Sequence, residues 1–250
     1  MEDPETALRE AMVEPWAVLR RRFDPEDEPP DVDFAVNEAE ALASWRALEA
    51  VAQTGPVDPL AEMGQMAELL SEGLALDRYL EWVALNTFLR NEDWVDELFM
   101  YSGLEGGRPF WQVMSWDPDD LFSPCHHGGR FAFEDPWRML YCAEGKLEWG
   151  LLRSPGLYTH YISILETLMA KLDQATLGSV MAGVRQDLFA VVTADETAAA
   201  MIELVQSDAG AATATGFQAI VTARMDTMLR EAEASRERLT ERIKAYRSAP

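Results

Sequence analysis

Two acids, and the stretch of chain between them, hold the clearest chemical signal in the sequence. Asp93 closes Asn91-Glu92-Asp93 after an apolar helical run, and Asp117 follows the run Phe110 to Trp116. Between them, Leu98-Phe99-Met100-Tyr101, the turn-rich SGLEGGRP and FWQVMSW predict a β-hairpin with a glycine-rich connection. A hairpin returns the chain to near its starting level, so both acids can face one cleft. In such a layout one carboxylate orients and deprotonates an acceptor hydroxyl, while the other holds a magnesium ion that bridges nucleotide phosphates. Magnesium is a hard cation and prefers oxygen ligands, which is why carboxylates suit the task. The plain alternative is that these acids are caps and turn residues at the ends of a helix and a strand.

The elements around the hairpin read as helical. Leu76, Tyr79, Leu80, Val83, Ala84 and Phe88 form a wide apolar stripe that ends in Arg90-Asn91-Glu92-Asp93. Helical spacing also runs from Glu38 to about Gln53 and from Pro59 to Ser71. After Pro155 it continues to the end of the chain, through Leu157, Tyr161, Ile164, Leu165 and Leu168, then Leu177, Val180, Met181, Val184, Leu188 and Val191. Residues 123–150 read as irregular. The last helix shows Phe217, Ile220, Val221, Met225, Met228 and Leu229, and beyond Ser235 its stripe thins, so the tail is expected to project or fray. At the other end, Leu8, Met12, Trp16 and Leu19 share a helical face, with Arg20, Arg21 and Arg22 at its C-terminal end. The Pro- and acid-rich FDPEDEPPDVDF then reads as an extended linker. The predicted fold is mainly α (α+β): helical, with one small β-hairpin carrying the acids. The predicted organisation is an N-terminal helix and acidic linker over 1–36, a helical lobe over 37–235 and a tail over 236–250.

Composition narrows the function classes. Among 250 residues, 44 acids face 21 Lys and Arg, a net charge of −23, which opposes a phosphate backbone and argues against nucleic-acid binding. Such a chain suits cations, basic proteins or a metal-nucleotide. A hydrophobic share of 48%, with eight Trp, is enough for a packed core. No apolar run reaches the ~18 residues of a spanning helix, so membrane insertion is not expected. MEDPETALRE lacks the basic and apolar stretches of a secretory leader. Cys125 and Cys142 are too few for a disulfide framework, and three states stay open for them. They could be free thiols, a single bridge in an oxidising compartment, or part of a zinc site with His126 and His127. The chain carries no Gly-x-Ser-x-Gly, His-Glu-x-x-His or dinucleotide fingerprint.

The wording of the central segments goes further. DRYLEWVALNTFLRNEDW, ELFMYSG and FWQVMSWDPDDLF resemble the CotH family, the spore-coat-protein-H-type atypical kinases. That family's core reads as a helix ending in Asn-x-Asp, a YLY-like strand and a Trp-Asp-x-Asp signature. LLRSPGLYTHYISILETLM is similar to its helix after the metal motif, and FQAIVTARMDTMLREAE to its final helix, so the resemblance spans about residues 74–235. The resemblance implies a kinase-like C-lobe and Mg-ATP-dependent phosphoryl transfer to protein hydroxyls. It implies Asp93 as catalytic base, Asn91 as a positioning residue, Asp117 as principal metal ligand, and Asp119 as either an alternate metal ligand or a residue that supports the ligand from behind. Mg²⁺ or Mn²⁺ and ATP are the implied cofactors.

Three departures accompany the resemblance. Where the family shows an Asn serving the second metal, this chain has Asp96 or Glu97, and either carboxylate can take magnesium. The phosphate-anchoring lysine of the nucleotide lobe has no counterpart, because the three lysines, Lys146, Lys171 and Lys244, all follow the motif. Arg20 to Arg22 could contact phosphate, though arginine is not an equivalent anchor. The nucleotide lobe is therefore expected to be missing or abbreviated, and the missing leader fits a lost N-terminus as well as a cytoplasmic protein. An exported or spore-coat location is what the family implies if the N-terminus is truncated. The alternative function is a catalytically inactive kinase-like interaction, coat or scaffold protein whose acidic surface engages a basic protein partner.

Overall fold

The computed structural model describes residues 8, 14–21, 30–54, 62–92, 98–115, 120–125, 139–142, 145–194 and 214–248. Within them the fold is mainly helical with one small antiparallel sheet, the predicted class. The elements are β1 (Ala17–Arg20), β2 (Asp31–Ala35), α1 (Glu38–Thr54), α2 (Glu62–Ser71), α3 (Leu76–Leu89), β3 (Leu98–Glu105) and β4 (Arg108–Ser115). Then come α4 (Lys146–Arg153), α5 (Pro155–Lys171), α6 (Gln174–Ala194) and α7 (Ala214–Ser248).

The expected hairpin is β3–β4, in register from Leu98 opposite Ser115 to Glu105 opposite Arg108. Its turn is tighter than the sequence suggests. Gly106 and Gly107 both take positive φ, 57° and 80°, the conformation a two-residue hairpin turn needs and side chains disfavour. The hairpin does not stand alone. The sheet order is β2-β1-β3-β4, with β1 antiparallel to both neighbours. The N-terminal segment is therefore strand at Ala17–Arg20 and Asp31–Ala35, where helix and linker were expected. Ala17, Val18 and Leu19 are buried in succession, as a central strand covered on both faces requires. Such a short apolar run has no period that separates strand from helix, and pairing decides it.

One sheet face gathers Val18 and Phe99 with Leu8, flanked by Phe34, Tyr101 and Met114. At the β4 edge, Trp111 exchanges backbone hydrogen bonds with the segment before α3, its N–H donating to Gly73 O and its carbonyl accepting from Ala75 N–H, both at 2.8 Å. Trp111 is fully buried, edge-on to Trp45 with 5.7 Å between ring centroids, and its Nε1 donates to Ser44 Oγ at 3.0 Å. The sheet is thereby fixed to both α1 and the start of α3.

Helix α4 lies in a stretch that reads as irregular, and it carries the buried Leu147 and Glu148. Its Gly150 sits so close to α1 that an added Cβ would stand 2.8 Å from the Ala52 Cβ. Helix α7 runs unbroken to Ser248 instead of fraying after Ser235. Leu239 and Ile243 are buried, Tyr246 meets Tyr158 edge-on, and Arg247 pairs with Glu166.

The chain divides into two compact units, Met1–Leu168 with Leu239–Pro250, and Met169–Arg238. The first holds the sheet, α1–α4 and most of α5. In the second, Asp173 caps α6 by accepting the Thr176 N–H at 2.7 Å, and Arg236 donates to the carbonyls of Met169 and Leu172. Val180, Val184, Leu188 and Val191 of α6 are exposed.

Candidate functional site

Helix α3 delivers the first acid turn. Its end is a Schellman turn, in which Asn91 N–H donates to Asn86 O at 3.0 Å and Arg90 N–H to Thr87 O at 3.3 Å. The residue that must turn left-handed in this motif is usually glycine; here it is Arg90, at φ 50° and ψ 48°. Arg90 stacks over Tyr141, its guanidinium carbon 5.2 Å from the ring centroid, and donates to the Tyr141 hydroxyl at 3.3 Å. These contacts help hold a conformation that an arginine otherwise avoids.

The turn directs Asn91 and Glu92 inward, and both are buried. Asn91 Nδ2 donates to Asn86 Oδ1 at 3.0 Å, and Asn86 Nδ2 donates to Trp82 O at 2.9 Å. Asn91 is therefore fastened to the helix end through both its side chain and its backbone. Asn86 was not singled out in the sequence, although a polar residue inside the apolar stripe of α3 is the signal that could have found it.

The segment after β4 returns to this helix end. Glu92 N–H donates to Asp120 O at 3.2 Å, and Phe122 N–H donates to Leu89 O at 2.9 Å. Residues flanking the two acid turns are thus hydrogen-bonded to each other. Asp93, Asp96, Glu97, Asp117 and Asp119 themselves lie outside the described residues, as do His126 and His127. Among the described residues, no three His, Cys, Asp or Glu side chains gather as a metal site.

A third segment closes the arrangement. Met139 N–H donates to Tyr158 Oη at 2.7 Å, Tyr161 Oη donates to Met139 O at 2.6 Å, and Tyr141 N–H donates to Thr87 Oγ1 at 3.3 Å. Burial pushes the Tyr161 phenol far above its ordinary pKa, so it stays a neutral donor. Tyr141 Oη donates to Ser123 O, and Cys125 is disulfide-bonded to Cys142 with 5.6 Å between Cα atoms. Of the three states open in the sequence, the bridge is the one found, and it removes both sulfurs from any zinc site. Arg90, Phe122 and Cys142 are the non-glycine residues with positive φ among the described residues, and each lies in one of these three joined segments. Strain of this kind concentrates where a structure holds a functional geometry.

The residue after β1 joins α3 and α4 in a buried charge network. Arg21 Nη1 donates to both Glu148 oxygens, at 2.8 and 3.0 Å, and Tyr79 Oη donates to Glu148 Oε1. Burial opposes the Arg21 charge, but Glu148 and Tyr79 more than offset it and hold its pKa above the ordinary value. Burial and the Glu148 charge together push the Tyr79 phenol well up. In the sequence, Arg21 sits among cations at the end of an expected helix and Glu148 falls in the stretch 123–150 that reads as irregular. No local pattern signals a pair joined across more than a hundred residues.

Among the described residues, no helix is long and apolar enough to cross a membrane. No curated protein matches the chain. The model of one family, described as CotH kinase protein, matches residues 59–203, which run from ahead of α2 through the joined turns and the disulfide to beyond α6. That match covers more than half of the sequence, and the chain belongs to the CotH kinase family.

Proposed function

We propose that the protein is a CotH-type atypical protein kinase that transfers a phosphoryl group from Mg-ATP to protein hydroxyls. The observation that carries this reading is the joining of the two acid turns, through Glu92 N–H to Asp120 O, beside the left-handed Arg90. It supports a cleft to which both turns contribute acids, and an all-oxygen donor set fits magnesium. Asp117 and Asp119 would hold the metal, with Asp96 or Glu97 supplying a carboxylate from the other turn. When bound, Mg-ATP would supply the transferable phosphoryl group, the metal offsetting charge on the phosphate oxygens. Asp93 orients the acceptor hydroxyl and accepts its proton. Asn91, fastened to Asn86, would position the chain that leads into Asp93.

A second reading, a kinase-like module that binds a partner without phosphoryl transfer, is favoured by Arg21. Of the arginines that could contact phosphate in place of the family's lysine, Arg21 is turned into the core and bound to Glu148, while Arg20 stacks over Phe99 at 5.5 Å. Arg22 lies outside the described residues. Incubation with γ-labelled ATP and Mg²⁺ or Mn²⁺ separates the two. Label in the chain or in a basic protein acceptor, lost in Asp93→Asn and Asp117→Asn, supports the kinase; its absence from the folded parent supports the module.

A further inference from the structure

We infer that the Cys125–Cys142 disulfide is a redox-sensitive latch on the segment that follows the second acid turn. What the latch controls rests on the phosphoryl-transfer reading; the latch itself does not. The two sides of the bridge are held unequally. Residues 139–142 are buried and bound to α3 and α5 through Thr87, Tyr158 and Tyr161. Residues 120–123 are part-exposed and reach the helix end through the Asp120 and Phe122 backbones, with Ser123 O accepting from Tyr141. The bridge then fixes Cys125 directly to the rigid side. Breaking it would leave 139–142 in place and release 123–125, next to the Asp120 carbonyl that ties the acid turns together.

Chemistry and access favour attack from one side. Cys125 is part-exposed, whereas Cys142 is buried. A thiolate of a small dithiol attacks the Cys125 sulfur, and Cys142 leaves as a thiolate that takes up a proton. The second thiol of the reductant displaces Cys125 from the mixed disulfide. The protein gains two electrons and two protons, and the dithiol becomes its own disulfide.

The test uses the full chain, oxidised, reduced with dithiothreitol, and as Cys125→Ser, with amide hydrogen exchange and a thermal titration with Mn²⁺ alone. Reduction should raise exchange at 120–125 by at least ~10-fold while changing 139–142 by less than ~2-fold, and reoxidation should reverse this. The Mn²⁺ half-point should weaken by at least ~3-fold in the reduced chain and in Cys125→Ser. Unchanged exchange at 120–125, an equal rise on both sides, or general unfolding would make the bridge an ordinary staple and overturn the latch. An Mn²⁺ response identical in both redox states would overturn its control of the acid turns. Asymmetric exchange without any Mn²⁺ response in the oxidised chain would support the latch and count against the phosphoryl-transfer reading alone.

Discussion

Glu92 donates its backbone N–H to the carbonyl of Asp120 at 3.2 Å, so the residue before one proposed catalytic acid is tied to the residue after the proposed metal acids. A single backbone hydrogen bond contributes only about 1 kcal/mol. Its value here is registration, because it relates two turns that are far apart in sequence. The Schellman turn at Arg90 and the Arg90–Tyr141 stack brace the same point from the other side.

Carboxylates gathered near one point repel unless a cation enters, and a cation that binds only the folded state stabilises it by mass action. Mn²⁺ at about one hundred times its dissociation constant should add ~2.7 kcal/mol and raise the melting temperature. Asp117→Asn is expected to abolish most of that rise, and Asp93→Asn to leave it largely intact. A differential scan of the three proteins across an Mn²⁺ series checks both.

The Arg21–Glu148–Tyr79 network predicts a large asymmetry between single and double substitutions. Arg21→Ala leaves the Glu148 charge buried without its main partner, and should cost about 3–5 kcal/mol. Arg21→Met with Glu148→Leu removes both charges and should recover most of that loss. Urea titration of the three chains measures the difference.

Gly150 faces Ala52 across α4 and α1, with Ala52 Cα only 3.0 Å from the site of an added Cβ. Backbone cannot rotate away as a flexible side chain can, so Gly150→Ala should destabilise by about 1–3 kcal/mol through overpacking. The intrinsic helix preference for alanine works the other way, by up to ~1 kcal/mol. A stabilised variant in urea would show that α1 and α4 have room to separate.

Asp173 carries the pH prediction. The Thr176 N–H holds its carboxyl below the ordinary value of 3.8, so the folded state favours the charged form. The stability this adds is fully present above that ordinary value, and is lost as pH falls below it through the lowered pKa. In melts followed by helical circular dichroism, the advantage of the parent over Asp173→Ala should shrink steadily below about pH 4. An advantage constant down to pH 2 would count against the charged cap.

Much of the frame is legible in the sequence because it is periodic. The stripe of α3, the hairpin runs around Gly106-Gly107 and the long helices after Pro155 each show their period within one window. The motif wording singles out Asn91, which is buried and hydrogen-bonded to Asn86. What escaped was set by distant partners. Val18 is strand because Phe34 and Tyr101 flank it. Glu148 is core because Arg21 meets it there, and Leu239 and Ile243 prolong α7 because they are buried. Arg90 is the instructive case, since its left-handed turn depends on a tyrosine fifty-one residues away that no local rule connects to it.

The most direct measurement is phosphoryl transfer itself: the purified oxidised chain with γ-labelled ATP and Mg²⁺ or Mn²⁺, with and without a basic protein acceptor. We predict metal-dependent label on serine or threonine that falls at least ~100-fold in Asp93→Asn and in Asp117→Asn, both remaining folded. Equal labelling by the parent and the two variants, or none by the parent in either metal, would contradict it.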